Sequence, residues 1–120
     1  MQVRTVAVIG AGTMGSGIAQ ICAQKGWQTR LFDVFPESLE KGMENIERFW
    51  DKGIEKGKTT IEEKQEWIKN LKTCTDLFQA VEGVDLVIEA VPEIMELKKE
   101  IFTQLEKIAP KNAVLATNTS

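Results

Sequence analysis

Apolar positions along the chain follow two different periods, which predict strands that alternate with helices. Short runs rich in valine, isoleucine and leucine fit strands that are buried on both faces. The predicted strands are Val3–Ile9, Thr29–Asp33, Lys72–Thr75, Val84–Val91 and Ala113–Thr117. Between them, apolar residues recur every three or four positions, as on the buried face of a helix. This alternation predicts an α/β fold built on a parallel sheet.

Two consecutive helices are predicted between the second and third strands, where a simple strand–helix–strand unit has one. The first begins near Pro36, and its apolar positions are Leu39, Met43, Ile46, Phe49 and Trp50. The segment Asp51–Lys58 contains two glycines and mixed charges, which indicates a turn. Thr60 and Glu63 then fit a capping box. The apolar positions of the second helix are Ile61, Trp67, Ile68 and Leu71. Later helices are expected over Leu77–Val81 and Ile94–Ile108.

Composition narrows the class of protein. With 120 residues, 42% of them hydrophobic and 28% charged, the chain fits one globular domain. The net charge of −3 argues against nucleic acid or an anionic membrane surface as a partner. No apolar run approaches the ~20 residues needed to span a bilayer, and no signal peptide is evident. Cys22 and Cys74 show no metal-ligand spacing, so we expect no metal and a reducing, cytoplasmic location.

A glycine-rich segment follows the first predicted strand and opens the first predicted helix. It consists of Gly10, Ala11, Gly12, Thr13, Met14 and Gly15, a G-x-G-x-x-G pattern. In this context Gly10 permits a tight turn, Gly12 leaves room for a pyrophosphate, and Gly15 lets the helix pack closely on the strand. The helix N-terminus would then face the phosphates. A structural strand–helix turn without a ligand is the alternative.

Asp33 ends the second predicted strand, 18 residues after Gly15. A carboxylate at this place accepts hydrogen bonds from the adenosine ribose hydroxyls of a dinucleotide and would repel a 2′-phosphate. No arginine or lysine lies within Val34–Glu40, which favours NAD over NADP. A helix cap or an exposed turn residue is the alternative interpretation of Asp33.

Three blocks of the sequence resemble the 3-hydroxyacyl-CoA dehydrogenase family. They are Val8–Gln20, Asp85–Glu93 and Ala116–Ser120, in the order that the family has them. The resemblance covers all 120 residues and is strongest to the short, single-function branch that acts on 3-hydroxybutyryl-CoA. It implies NAD-dependent oxidation of an L-3-hydroxyacyl-CoA to the 3-ketoacyl-CoA, or the reverse reaction.

The resemblance also implies roles for residues outside the glycine-rich segment and Asp33. Ala90 and Val91 would border the cofactor at a strand end, and Glu93 and Lys98 would contact NAD. A lysine in a first helical turn is unfavourable without a nearby anion, which agrees with a cofactor contact, although an exposed pair with an adjacent glutamate is the alternative.

Two further parts of the chain match family positions that meet the substrate. Asn118 and Ser120 would lie at the nicotinamide end, with Ser120 orienting the substrate oxygen, unless these residues form an ordinary turn. Lys56 matches a lysine against the CoA phosphates, and Lys52 or Lys58 could serve equally. Phe49 stands where the resemblance places a serine against CoA, so the sequence departs from the family at that contact.

The resemblance places the catalytic histidine and glutamate beyond Ser120, and the chain contains no histidine. We therefore expect residues 1–120 to be a Rossmann-type, doubly wound NAD-binding domain that is truncated, with five of six usual strands, and inactive alone. A C-terminal helical domain for substrate binding and homodimerisation would be missing. The alternatives are a related sugar-acid dehydrogenase of the L-gulonate type and a non-catalytic NAD(H)-sensing module.

Overall fold

The computed structural model describes residues 3–90, 100, 103–104, 107–108 and, for the backbone, 114–117. These residues contain five strands in one parallel sheet, which confirms the predicted α/β fold. The strands are β1 (Thr5–Ile9), β2 (Gln28–Phe32), β3 (Leu71–Cys74), β4 (Leu86–Glu89) and β5 (Val114–Thr117). The helices are α1 (Thr13–Gln24), α2 (Pro36–Glu55), α3 (Ile61–Lys69) and α4 (Leu77–Val81).

The strand order is β3-β2-β1-β4-β5, so the chain leaves β1 towards one edge of the sheet and later returns to its other side. Val8 of β1 therefore pairs with Leu31 on one side and with Ile88 on the other. The carboxyl ends of β1 and β4 lie beside each other at this reversal of strand order. In open parallel sheets, a ligand crevice forms at such a point.

β1 is the centre of the core because apolar layers cover both faces of the sheet. On one face, Ala7 and Ile9 pack in a cluster with Val81 of α4. On the other face, Val6 and Val8 share a cluster with α1 and α2 residues. This double burial explains why β1 is almost continuously apolar rather than alternating.

The predicted helical pair is present as α2 and α3. The rings of Trp50 and Trp67 lie 5.4 Å apart between their centroids, and Lys64 Nζ lies 2.7 Å from Asp51 Oδ1. The predicted capping box is confirmed, since the Thr60 hydroxyl accepts a hydrogen bond from the Glu63 N–H and the Glu63 carboxylate accepts one from the Thr60 N–H. The Trp50–Trp67 and Lys64–Asp51 contacts join the two helices, and the capping box stabilises the start of α3.

The predicted turn over Asp51–Lys58 is wrong for its first five residues, because α2 continues to Glu55. The helix ends only where Gly57 adopts a φ of +71°, a conformation that favours glycine. Gly53 stays helical, and a Cβ added there would lie 2.9 Å from Thr59 Oγ1. Its small size therefore serves packing rather than chain reversal, which a pattern of glycines and charges does not distinguish.

Two apolar positions assigned to buried helix faces are instead exposed. Phe49 is 62% exposed and Ile61 is 59% exposed, while Leu71 belongs to β3 rather than to α3. The buried face of α2 consists of Leu39, Gly42, Ile46 and Trp50. Phe49 lies about two turns beyond Gly42 on one side of this face and about 100° around the helix from Trp50.

The later predicted elements are present where the structure describes them, but the bounds of β4 differ from the prediction. β4 is shorter than the predicted Val84–Val91, since Val84 N–H donates instead to Val81 O at the end of α4. The described residues within Ile94–Ile108 are helical. In the part of the chain that the structure describes, no helix combines the length and apolar character needed to cross a membrane.

Candidate cofactor site

The glycine-rich segment connects the end of β1 to the start of α1, beside the reversal of strand order. Gly10 has a φ of +113°, and its N–H donates to Phe32 O at 2.8 Å. Residues with a Cβ rarely adopt this conformation. The tight turn predicted at Gly10 is therefore present, and the turn is attached to the end of β2.

Gly15 lies at the closest approach between α1 and this turn. A Cβ added at Gly15 would lie 1.7 Å from Gly10 O and 2.8 Å from Gly10 C. Both atoms belong to the backbone, so no side-chain movement could relieve the overlap. The fold itself therefore requires glycine at position 15, as the pattern predicted.

Gly12 differs from Gly10 and Gly15 in both backbone conformation and surroundings. It is the N-cap of α1, with ordinary extended dihedrals of φ −67° and ψ −172°. A Cβ added at Gly12 meets no atom of the described residues within 4 Å. Neither the backbone conformation nor packing among the described residues therefore requires glycine here. A ligand that approaches the backbone closely supplies the missing reason, which fits a dinucleotide pyrophosphate at this place.

The start of α1 is suited to an anion. Its N-cap makes no side-chain hydrogen bond within the described chain, and its first turn carries no acidic residue. The first N–H groups of a helix lack intrahelical partners, and the helix dipole places partial positive charge there. Thr13 and Met14, at the same end, are exposed. Residues 10–15, which we call the glycine loop, comprise the β1–α1 turn and the first residues of α1. They form a surface that fits a phosphate group next to the crevice.

Asp33 follows β2 directly, and its carboxylate is fixed beside this loop. Asp33 Oδ2 accepts a hydrogen bond from the Ala11 N–H at 3.0 Å, and Oδ1 accepts one from the Phe35 N–H at 3.0 Å. The N-cap of α2 is Phe35, so Asp33 is not the cap of that helix. The side chain is half-buried. Each oxygen keeps acceptor capacity, which suits it to ribose hydroxyls.

Ala90 borders the same crevice from β4. Its N–H donates to Ile9 O at 2.8 Å, and its Cβ lies 3.5 Å from the position that a Cβ on Gly15 would take. The structure therefore brings the glycine loop, Asp33 and Ala90 together. The other expected cofactor residues, which lie outside the described part of the chain, are Val91, Glu93, Lys98, Asn118 and Ser120.

Lys56 lies far from the glycine loop. It is the exposed C-cap of α2, and Lys52 and Lys58 near it are exposed as well. Because α2 rises about 1.5 Å per residue, the 14 residues from Gly42 to Lys56 correspond to roughly 21 Å. The lysines are therefore at the far end of α2 from the glycine loop, where they could contact a part of a ligand remote from the pyrophosphate.

Two buried residues of the loop environment were not singled out by their sequence pattern. The hydroxyl of Ser16, which is 3% exposed, donates to Ala11 O at 3.0 Å. Gly42 of α2 packs directly on these atoms. A small residue on the buried stripe of α2 is the signal that could have indicated this close contact.

The cysteines do not add reactive chemistry to the site. Burial raises the pKa of Cys74, and the nearby Arg30 only partly opposes this effect. Burial also raises the pKa of Cys22, against the smaller influence of Lys25. Both thiols therefore stay protonated at neutral pH and are poor nucleophiles. Among the described residues, no group of His, Cys, Asp or Glu side chains is placed to hold a metal ion.

Comparison with known proteins identifies the family. Residues 5–120 match the family described as the NAD binding domain of 3-hydroxyacyl-CoA dehydrogenase. The chain belongs to this family. The match covers the glycine loop, Asp33 and Ala90, and it agrees with the resemblance found in the sequence. The cofactor of this NAD-binding domain is NAD, as the acidic residue after β2 predicted.

The relatives of this NAD-binding domain are considerably longer than the chain. It is 42% identical over 120 residues to 3-hydroxyadipyl-CoA dehydrogenase of Escherichia coli, of which it covers 25%. It is 41% identical over 120 residues to a probable 3-hydroxybutyryl-CoA dehydrogenase of Bacillus subtilis, of which it covers 42%. The crystal structure of 3-hydroxybutyryl-CoA dehydrogenase from E. coli superimposes on the whole chain with a TM-score of 0.93 at 41% identity, and the chain covers 25% of it.

Proposed function

We propose that the protein containing this domain oxidises an L-3-hydroxyacyl-CoA, with 3-hydroxybutyryl-CoA as the first substrate to test, to the 3-ketoacyl-CoA with NAD, or catalyses the reverse. Family membership and the names of the relatives support this proposal. The chain spans at most about two fifths of the relatives named above, so the activity is assigned to the complete gene product. Residues 1–120 are its NAD-binding domain, and a further helical domain completes the substrate site.

The structural observation that carries the cofactor part of the proposal is the space at Gly12. Nothing in the described structure excludes a side chain there, yet the position is glycine and lies at the N-terminus of α1. Asp33 is held within hydrogen-bonding distance of the adjacent Ala11 N–H. A pyrophosphate at Gly12 and a ribose at Asp33 are neighbouring parts of one dinucleotide, so the two features support each other.

The bound NAD supplies a hydride acceptor, and the residues of this domain hold it in place. In the proposal, the loop Gly10–Gly15 binds the pyrophosphate and Asp33 binds the adenosine ribose. Ala90 borders the cofactor at the end of β4. The remaining proposed contacts are made by Val91, Glu93, Lys98, Asn118 and Ser120. Ser120 also orients the 3-hydroxyl of the substrate, whose proton passes to a histidine outside this chain.

The test measures NADH formation by the complete gene product with 3-hydroxybutyryl-CoA, longer 3-hydroxyacyl-CoA esters and L-gulonate. We expect turnover of a CoA ester and none of the sugar acid. Turnover of L-gulonate alone would replace the proposed substrate class, and NADH binding without turnover of any hydroxy compound would indicate a sensing module.

Gly12→Val separates cofactor binding from folding. Its Cβ would enter the pyrophosphate space with no described atom within 4 Å, so the circular dichroism spectrum should persist while NADH binding is lost. Gly17→Ala, in open space five residues later on α1, is the matched control and should bind NADH normally. Equal NADH affinity in the two variants would remove the glycine loop from the cofactor site.

Contacts to CoA, location and assembly complete the proposal. Lys56 binds the CoA phosphates, so Lys56→Met should raise the KM for the acyl-CoA and leave the KM for NAD unchanged. Lys52→Met and Lys58→Met test the two alternative lysines, and a larger rise in either of them would move the contact to that residue. The protein is proposed to be a cytoplasmic homodimer. Light scattering coupled to gel filtration measures the molecular mass, and a monomeric mass with full activity would contradict the proposed homodimer.

A further inference from the structure

The peptide groups of Ala11 are held on both sides by side chains from different elements. Its N–H donates to the Asp33 carboxylate at 3.0 Å, and its carbonyl oxygen accepts from the Ser16 hydroxyl at 3.0 Å. Ala11 and Ser16 are each 3% exposed. The bond from Ser16 is buried and the bond to Asp33 is partly buried, so competition from water is limited and the two bonds fix the backbone just before Gly12.

Gly42 of α2 packs against this Ser16–Ala11 hydrogen bond. A Cβ added to Gly42 would lie 2.6 Å from Ser16 Oγ, 3.0 Å from Ala11 O and 3.6 Å from Ala11 Cβ. Ser16 Oγ is buried and engaged in its hydrogen bond, and Ala11 O belongs to the backbone. A methyl group at position 42 must therefore displace the hydroxyl, the loop or the helix.

We propose that Ser16 and Gly42 are positioning residues of the NAD site, which set the conformation of the glycine loop without contacting the cofactor. This inference rests on the proposed role of the loop in binding the pyrophosphate. Backbone N–H groups bind phosphate oxygens only within a narrow range of distance and angle. A shift of a few tenths of an ångström at Ala11 is carried directly to Gly12, so the helical pair is linked to cofactor affinity through one contact.

The chain offers a matched control on the same helix. A Cβ added to Gly53 would lie 2.9 Å from Thr59 Oγ1, an overlap with a hydroxyl comparable to that at Gly42. Gly53 lies 11 residues further along α2, which corresponds to about 16 Å. Gly42→Ala and Gly53→Ala therefore each bring a methyl group too close to a hydroxyl on one helix, with the larger overlap at Gly42, but only Gly42→Ala does so at the loop.

The experiment measures NADH affinity by calorimetry, thermal unfolding, and the KM values for NAD and acyl-CoA in the complete gene product. Ser16→Ala should weaken NADH binding by about three- to tenfold, the range expected for one lost hydrogen bond. Gly42→Ala should weaken it by at least as much, whereas Gly53→Ala should lower the melting temperature without changing NADH affinity. In Ser16→Ala and in Gly42→Ala, the KM for NAD should rise while the KM for acyl-CoA stays constant.

The double variant gives a further readout. Ser16→Ala removes the Oγ atom that a methyl group at position 42 would meet, so the losses in Ser16→Ala/Gly42→Ala should be less than multiplicative. Unchanged NADH affinity in Ser16→Ala would refute the positioning role of Ser16, and equal NADH affinity of Gly42→Ala and Gly53→Ala would refute that of Gly42. Failure of the unaltered protein to bind NADH would instead refute the proposed function. Ser16→Ala introduces no new atom, so it keeps the test decisive if Gly42→Ala does not fold.

Discussion

Replacement of Gly15 by alanine gives the sharpest test of the packing between α1 and the β1–α1 turn. The added Cβ would lie 1.7 Å from Gly10 O, and a separation of at least 3.0 Å is needed, so the atoms must part by 1.3 Å. The turn resists this movement, because the Gly10 N–H is bonded to Phe32 O and Ala90 N–H is bonded to Ile9 O. The helix α1 must therefore move away from the sheet, which opens the core beside Ala19.

The size of the effect follows from this displacement. Overpacking a rigid core costs about 1–3 kcal/mol, and an overlap between backbone atoms that no rotamer change relieves belongs at the upper end or beyond it. Alanine has a better helix propensity than glycine by up to about 1 kcal/mol, which is too little to offset the overlap. We therefore expect Gly15→Ala to lower the free energy of unfolding by about 3 kcal/mol.

Urea unfolding followed by tryptophan fluorescence measures this loss, with Gly17→Ala as the control. Gly17 is in the same helix, and a Cβ added there meets no described atom within 4 Å, so its replacement by alanine should stabilise the protein by up to about 1 kcal/mol. The two variants thus share their chemistry and differ in the space available. Equal unfolding midpoints for Gly15→Ala and Gly17→Ala would refute the close approach as the reason for glycine at position 15.

Three other substitutions test separate parts of the structure. Asp33→Arg removes the acceptor for ribose hydroxyls and adds a cation, so NAD affinity should fall by about 10- to 100-fold and NADP affinity should rise, and unchanged affinities by calorimetry would contradict this role. Thr60→Ala removes an N-cap hydroxyl and should destabilise the protein by about 1 kcal/mol in denaturant titrations, whereas an unchanged midpoint would show that the capping box is dispensable. The backbone N–H groups of Arg4 and then Thr5 hold the pKa of Asp85 below its usual value of 3.8. A carboxylate with a lowered pKa stabilises the fold above that usual value and loses this effect as the pH falls through the lowered pKa, so the gap in stability between the unaltered protein and Asp85→Asn should narrow in acid, and a constant gap would argue against these bonds.

The sequence predicted the fold well because its strongest signals are local. The apolar run of β1 and the capping residue Thr60 are patterns within a few neighbouring positions, and both are present in the structure. The end of α2 was not predictable in the same way. Gly53 and Gly57 look alike in the sequence, but one packs inside the helix against Thr59 and the other ends it with a positive φ.

The candidate site was predictable for a different reason. The glycine loop and Asp33 follow successive parallel strands, and parallel strands end at the same edge of a sheet, so their proximity follows from topology. The contact between Ser16 and Gly42 has no such origin, because it depends on how closely α2 packs across α1. A small residue on a buried helix face indicates a close approach but not its partner, so the 2.6 Å separation is visible only once both helices are placed.

The three glycines of the loop also show that one sequence pattern can combine unrelated constraints. Gly10 is required by its φ of +113° and Gly15 by the backbone atoms 1.7 Å away, and both requirements hold whether or not a ligand binds. Gly12, the N-cap of α1, has ordinary dihedrals and no neighbour among the described residues, so the reason we propose for it is a ligand. It follows that a strand–turn–helix unit which has lost cofactor binding would keep glycine at the first and third positions and become free to vary at the second. Position 12, rather than the complete pattern, therefore carries the information about binding.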